Sequence, residues 1–153
     1  MNPEQDDNNT NALIDRLDGS GTNEEWTAAT ELRVKFGGAL PIHLLQHYKT
    51  TNKWAARSSL LYHSTRYAKE SDAAIQLALL AVKDKSKAVR YRACLLLAYS
   101  QRKDLLPLLL QMVDDVPSET KGDLMAAVDA IQSENHHYFV DRDHSGLTKL
   151  NIK

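Results

Sequence analysis

From Thr10 to about Asn135 the apolar residues recur at steps of three and four with polar residues between them, the spacing that buries one face of an α-helix. Starts and stops cut this run into eight segments. "TNALIDRLDGSG" reads as a short helix that Thr10 can cap and Gly19 can stop. Asn23 opens "NEEWTAATELRVKFGG", with two carboxylates in its first turn and paired glycines behind its last. "ALPIHLLQHYK" follows, with Pro41 early enough to be tolerated. Asn52 precedes "KWAARSSLLYHSTRYA", Ser71 precedes "DAAIQLALLAVKD", and Ser86 precedes "KAVRYRACLLLAYS"; "KDLLPLLLQMVDD" and "SETKGDLMAAVDAIQSEN" complete the set. Links of a few residues predict antiparallel packing of sequential helices.

The long segments start at intervals of roughly 30 to 33 residues, a period that predicts stacked helix pairs rather than a closed bundle. "WTAATEL" and "WAARSSL" share Trp, Ala and Leu at the same offsets, placing Trp26 and Trp54 as equivalent packing residues. "ALPIHLL" and "LLPLLLQ" share a Leu-Pro pair, at Pro41 and Pro107.

The stretch "LALLAVKDKSKAVRYRACLLLAYSQRKDLLPLLLQMVDD" resembles the HEAT-like helical repeat of the PBS-lyase type: a second helix ending in Lys-Asp, a turn, then Val-Arg-x-x-Ala opening the next repeat. Asp84, Val89, Arg90 and Ala93 carry the match, with Arg57 and Asp115 as partial equivalents, over about residues 23–134. The resemblance implies hydrogen bonds between the Asp and Arg of successive turns, so Arg90 and Asp84 are expected to be structural. It also implies that the second helix of each pair lines the concave side, which makes His43, His47, Gln76, Lys83 and Gln111 expected contacts.

Beyond Asn135 the helical period ends. Tyr138, Phe139 and Val140 on one side, and Leu147, Leu150 and Ile152 on the other, flank a polar link containing Gly146, which predicts a β-hairpin. A terminal repeat needs an atypical cap, and a hairpin would supply one. The expected architecture is thus all-α: an α-solenoid of about three and a half antiparallel helix pairs, a HEAT-like superhelix with a C-terminal β-hairpin cap. Residues 1–9, polar and without apolar period, are expected to be a disordered tail, 10–135 the repeat domain and 136–153 the cap.

Charge alters this picture in one respect. The net charge is -1, yet residues 53–103 hold 11 of the 19 basic and 3 of the 20 acidic groups. Lys83, Lys85, Lys87, Arg90, Arg92, Arg102 and Lys103 concentrate it, and Lys87 and Arg92 join the expected contacts. No apolar run approaches a membrane span and the start lacks the basic and apolar regions of a signal peptide, so a bacterial cytoplasm is expected. Cys94 is the only cysteine and lies among apolar neighbours, which excludes an internal disulfide and predicts a buried thiol.

Two stretches hint at metal chemistry. "DRDHSG", residues 141–146, sets Asp141, Asp143 and Ser145 at alternate positions before a glycine, like the first half of a calcium loop; Ile152 stands where the bidentate carboxylate would have to be, and the reading is a turn with Gly146 at positive φ. "HLLQH" puts His43 and His47 on one helix face, but Leu44 occupies the place of a zinc-protease glutamate and no third ligand is identifiable. With no phosphate loop, nucleophile elbow or carboxylate pair, no metal, cofactor or catalytic residue is expected. The expected function is non-catalytic protein binding by a monomer, with an acidic protein or a toxin domain as partner, as in bacterial adaptors or immunity proteins. The alternative is nucleic-acid binding through the basic middle.

Overall fold

The computed structural model describes residues 2–153. Eight α-helices follow one another: α1 (Pro3–Asp15), α2 (Asn23–Phe36), α3 (Leu40–Tyr48), α4 (Trp54–Thr65), α5 (Asp72–Ala81), α6 (Lys87–Ser100), α7 (Leu106–Met112) and α8 (Ser118–Gln132). Short 3₁₀ turns at Gly37–Ala39 and Lys103–Leu105 lead into α3 and α7, and a third covers His136–Phe139. No helix among the described residues is long and apolar enough to cross a membrane.

In the middle of the chain helices pack on the next but one as well as on a neighbour. The helix α6 lies against α4, α5 and α8, and α3 lies against α4 and α5. The first helices α4, α6 and α8 form one row; α3 and α5 back it. The core is aliphatic, with Leu32, Leu44, Leu60, Leu77, Leu96, Leu109 and Leu124 fully buried at helical spacing. Cys94 is among them, and burial raises its thiol to about 12.

Turn chemistry joins successive pairs. Asp84, in the α5–α6 link, accepts from Arg57 Nε (2.8 Å) and Nη2 (3.0 Å), from the Tyr48 hydroxyl and from Ser86 N–H. Arg57 also donates to the Asn52 carbonyl, and Arg90 donates to the Asp84 carbonyl, to Thr120 Oγ1 and to Glu119. These arginines stand at the same step of α4 and α6, so each clamps its own preceding turn and reaches the following pair.

Two expectations fail at the ends. The described residues contain no strand, so the C-terminal hairpin does not form. His136–Phe139 instead winds into a 3₁₀ turn that starts under an Asn135 cap and buries Phe139 completely against Tyr91, with ring centroids 5.4 Å apart. The chain beyond it is irregular; Leu150 N–H donates to His137 Nδ1, Leu150 and Ile152 touch the core, and Leu147 is 88% exposed. Alternation failed as a strand signal because the three residues Tyr138, Phe139 and Val140 fit one turn as well as one strand, and no partner strand offers a ladder. At the other end, Pro3 through Asn9 are helical, not a tail: Asn2 caps α1, Pro3 takes its first position, and Lys35 bonds both Asp6 (2.6 Å) and Thr10 (2.8 Å) across to α2.

The DRDHSG segment is a turn, as its composition implies. The Asp141 carboxylate accepts from Ser145 N–H, Ser145 Oγ and Gly146 N–H, and Gly146 sits at φ 80°. The hydroxyl of Ser145 and the two backbone donors hold that carboxyl below its ordinary value.

Candidate functional site

A cleft of about 1020 Å³ opens on the row of first helices. Its lining follows one helical face. From α4 come Trp54, Ala55, Ser58, Ser59 and Tyr62; from α6 come Lys87, Ala88, Tyr91 and Arg92. Within each helix these stand at i, i+1, i+4 and i+5, and between the helices the first four pairs are 33 positions apart, so the repeat itself builds the surface. The helix α2 adds Glu25 and Trp26, the preceding loop adds Gly19 and Gly21, and α8 adds Glu119 and Asp123.

Local chemistry fixes the α2 wall. Thr22 accepts from Glu25 N–H, and the Glu25 side chain turns back to accept from Gly21 N–H at 3.1 Å, a variant of the capping box. Glu25 Oε2 then accepts from Ser59 Oγ (2.9 Å) and binds His63 Nε2 (3.0 Å), both on α4. Burial alone would raise the Glu25 carboxyl, but His63, Gly21 N–H and Ser59 outweigh it and hold it below its usual value. Burial lowers His63 in spite of Glu25, so the pair is an ionised carboxylate receiving Nε2–H from a neutral imidazole. Gly19 makes the final joint. At φ 79° it lies so close to α4 that a Cβ there would sit 2.3 Å from the Ala55 carbonyl oxygen.

Aromatic side chains dominate what remains open. Trp26 stands edge-on to Tyr62 and His63, with centroids 5.8 and 5.6 Å away, and Arg92 lies over Tyr62 at 5.4 Å. Trp26 is 38% exposed and Trp54 56%, so neither is the core residue that the sequence pattern predicts. Nor are they equivalent: Trp54 opens α4, whereas Trp26 is the fourth residue of α2.

The carboxylates of the cleft are engaged. Glu119 pairs with Arg90 and Asp123 with Arg142 at 2.9 Å. Lys87 and Arg92 have no carboxylate within ion-pair distance among the described residues. Chemically, the surface can bury an apolar or aromatic group and present two cations beside it. Ser59 and His63 both address the same Glu25 oxygen, so the serine is a donor to a carboxylate and not a nucleophile held by a base.

The expected contact residues scatter. Lys87 and Arg92 line this cleft. Gln76 and Lys83 share a shallow depression with Leu45, Lys49, Leu79 and Leu80 on the second-helix side. His43 packs tilted against Phe36 (ring centroids 4.0 Å apart), and His47 bonds Asn11 (2.9 Å) at the α1 contact. Gln111 is exposed on α7, apart from the others. The basic middle is likewise not one surface: Arg90, Arg102 and Lys103 hold carboxylates, Lys83 belongs to the second-helix depression, and Lys85 flanks Trp54 in a recess next to the cleft. What sequence reading missed was Glu25, Ser59, Tyr62 and Tyr91; the Thr22-x-x-Glu25 box was visible as a capping signal, and the 33-residue offset marked Ser58/Tyr91 and Ser59/Arg92 as neighbours.

Against known proteins, the chain matches no family model, no curated protein and no solved structure.

Proposed function

We propose that this chain is a non-catalytic protein-binding module built on HEAT-like repeats, and that it docks a segment of another protein in the cleft of α2, α4 and α6. The observation that carries this reading is the pair of exposed indoles, Trp26 and Trp54, lining a large cleft whose own packing does not enclose them. Exposed tryptophans in a concave, mainly apolar surface are the usual anchors of a protein interface. The Asp84 clamp supports the repeat assignment, and the first helices rather than the second carry the concavity. An adaptor or a toxin-neutralising immunity protein in a bacterial cytoplasm is the narrower form of this proposal, with a monomer as the working unit.

The test compares cross-linked partners of the native chain with those of a Trp26→Ala, Trp54→Ala double variant in extracts of the source cell. Trp54 is more than half exposed and Trp26 gives up only part of its packing on Tyr62 and His63, so the variant should stay folded, which its thermal melt checks. A protein recovered by the native chain and lost with the variant supports the reading; one retained equally by both removes the cleft from it. Nucleic-acid binding is a second reading, favoured by indoles beside Lys87 and Arg92 on which bases could stack. It requires a steep decline of affinity with salt and loss of binding in the same double variant.

A further inference from the structure

The cleft does not end at Trp54. A second recess of about 540 Å³ begins on its other side, shares Trp54 and Ala55 with the cleft, and is edged by Lys53 and Lys85. Trp54 is therefore a ridge between two concavities, with Lys53 and Lys85 on one side and Lys87 and Arg92 on the other. None of these four has a carboxylate within ion-pair distance among the described residues, whereas Lys35, Arg57, Arg90, Arg102, Lys103 and Arg142 each hold one. In a chain of net charge -1, four cations free of carboxylates thus flank its most exposed indole.

We propose that the occupant is an acidic segment of a partner protein that crosses Trp54, sets an aromatic or leucine side chain against Trp26 and Tyr62, and brings carboxylates to Lys53, Lys85, Lys87 and Arg92. This rests on the docking reading above and names its partner's chemistry. Charge complementarity selects an anion at this end of the cleft. Glu119 and Asp123 of α8 also line the cleft, so a phosphate backbone crossing it would meet carboxylates as well as cations. A peptide meets no such limit, because its few carboxylates can be set at the cations while an apolar side chain takes the aromatic wall of Trp26 and Tyr62. Trp54 suits the crossing, since its ring offers an apolar face between two cationic banks.

A library of short random peptides displayed on phage, selected on the full chain, reads the preference directly. The best binders are then synthesised with a fluorescent label and titrated by anisotropy beside a labelled thymidine oligonucleotide. The expected result is enrichment of Asp and Glu next to an aromatic residue or Leu. Affinity should fall about tenfold or more in Trp54→Ala and in the Lys53→Glu, Lys85→Glu, Lys87→Glu variant, with thermal melts close to the parent's. Should the triple reversal misfold, Lys85→Gln with Lys87→Gln supplies the same comparison. Enrichment of basic or uncharged peptides that depend on Trp54 overturns the acidic partner and leaves the docking cleft standing. No enrichment, or an oligonucleotide held more tightly than any peptide and released by the same substitutions, overturns both.

Discussion

Removing the Asp84 carboxylate should unfasten the repeat stack at its centre. In Asp84→Ala four donors lose their acceptor: Arg57 Nε and Nη2, the Tyr48 hydroxyl and Ser86 N–H. The Arg57 side chain is 7% exposed and would keep only the Asn52 and Thr51 carbonyls, neither of which carries a full charge. Breaking one side of a buried pair costs about 3–5 kcal/mol, and an orphaned hydroxyl adds about 1 kcal/mol. A loss of about 4 kcal/mol is a large share of the 5–15 kcal/mol typical of a domain, so urea unfolding should show a much lower midpoint with little change of slope. Removing both charges distinguishes a paired charge from lost packing. Arg57→Met with Asp84→Leu should be markedly more stable than the sum of the two single losses, because no charge remains buried alone. A loss below about 1 kcal/mol for Asp84→Ala, or strict additivity in the double variant, would refute the clamp. The pH response has a definite sign. Arg57, Tyr48 and Ser86 outweigh burial and hold Asp84 below the ordinary carboxyl value of 3.8, so its contribution is complete above that pH and disappears as pH falls through the lower, folded value.

Other outcomes test the ends and the cleft wall. Phe139→Ala should cost about 3–5 kcal/mol by calorimetry or urea melts, because the ring is fully buried under the last helix; deletion of residues 136–153 should do at least as much by uncovering Leu124, Val128 and Ile131. Gly19→Ala should destabilise and quench the signal of an occupied cleft, since the new methyl meets the Ala55 carbonyl and positive φ adds about 1 kcal/mol or more. Burial depresses His63 below the ordinary imidazole value of 6.5, so stability should fall as pH drops below that value, and the slope should vanish in His63→Gln if the imidazole is its source.

Helix number and order were legible from the apolar period and the polar links between segments; Ser71 does cap α5 through Ala74 N–H and Gly37 ends α2 at φ 53°, whereas Ser86 makes no cap bond and Thr10 lies inside α1. The clamp was legible in part: the resemblance implied structural roles for Asp84 and Arg90, whereas the Asp84 carboxylate holds Arg57 and Arg90 bonds the Asp84 carbonyl. The ends were not. Pro3 and Asn2 form a helix start whose polar residues hide it from an apolar-period search, and its stability comes from Lys35 on a different helix. At the C-terminus the same residues satisfy two local patterns, and the choice falls to Tyr91 and to the His137 ring, which are remote in sequence.

The side of the stack that opens was hidden for a different reason. Comparing "WTAATEL" with "WAARSSL" aligns Trp26 with Trp54 at an offset of 28, while the arginine clamp advances by 33 from Arg57 to Arg90. The two registers differ by five residues, more than one helical turn, so the shared letters do not mark shared places. Under the clamp's register Trp54 faces Lys87, Ser58 faces Tyr91 and Ser59 faces Arg92, and all six line the cleft. Small serines on α4 opposite large residues on α6 leave depth between the helices, and Glu25 enters from α2 to satisfy Ser59 and His63 at its floor. Exposure of the indoles follows from that geometry: Trp26 is held upright by Tyr62 and His63 at the α2 side, and Trp54, at the first position of α4, has no preceding helical turn to cover it. A register set by a buried ion pair thus decides which face of the stack opens as a cleft.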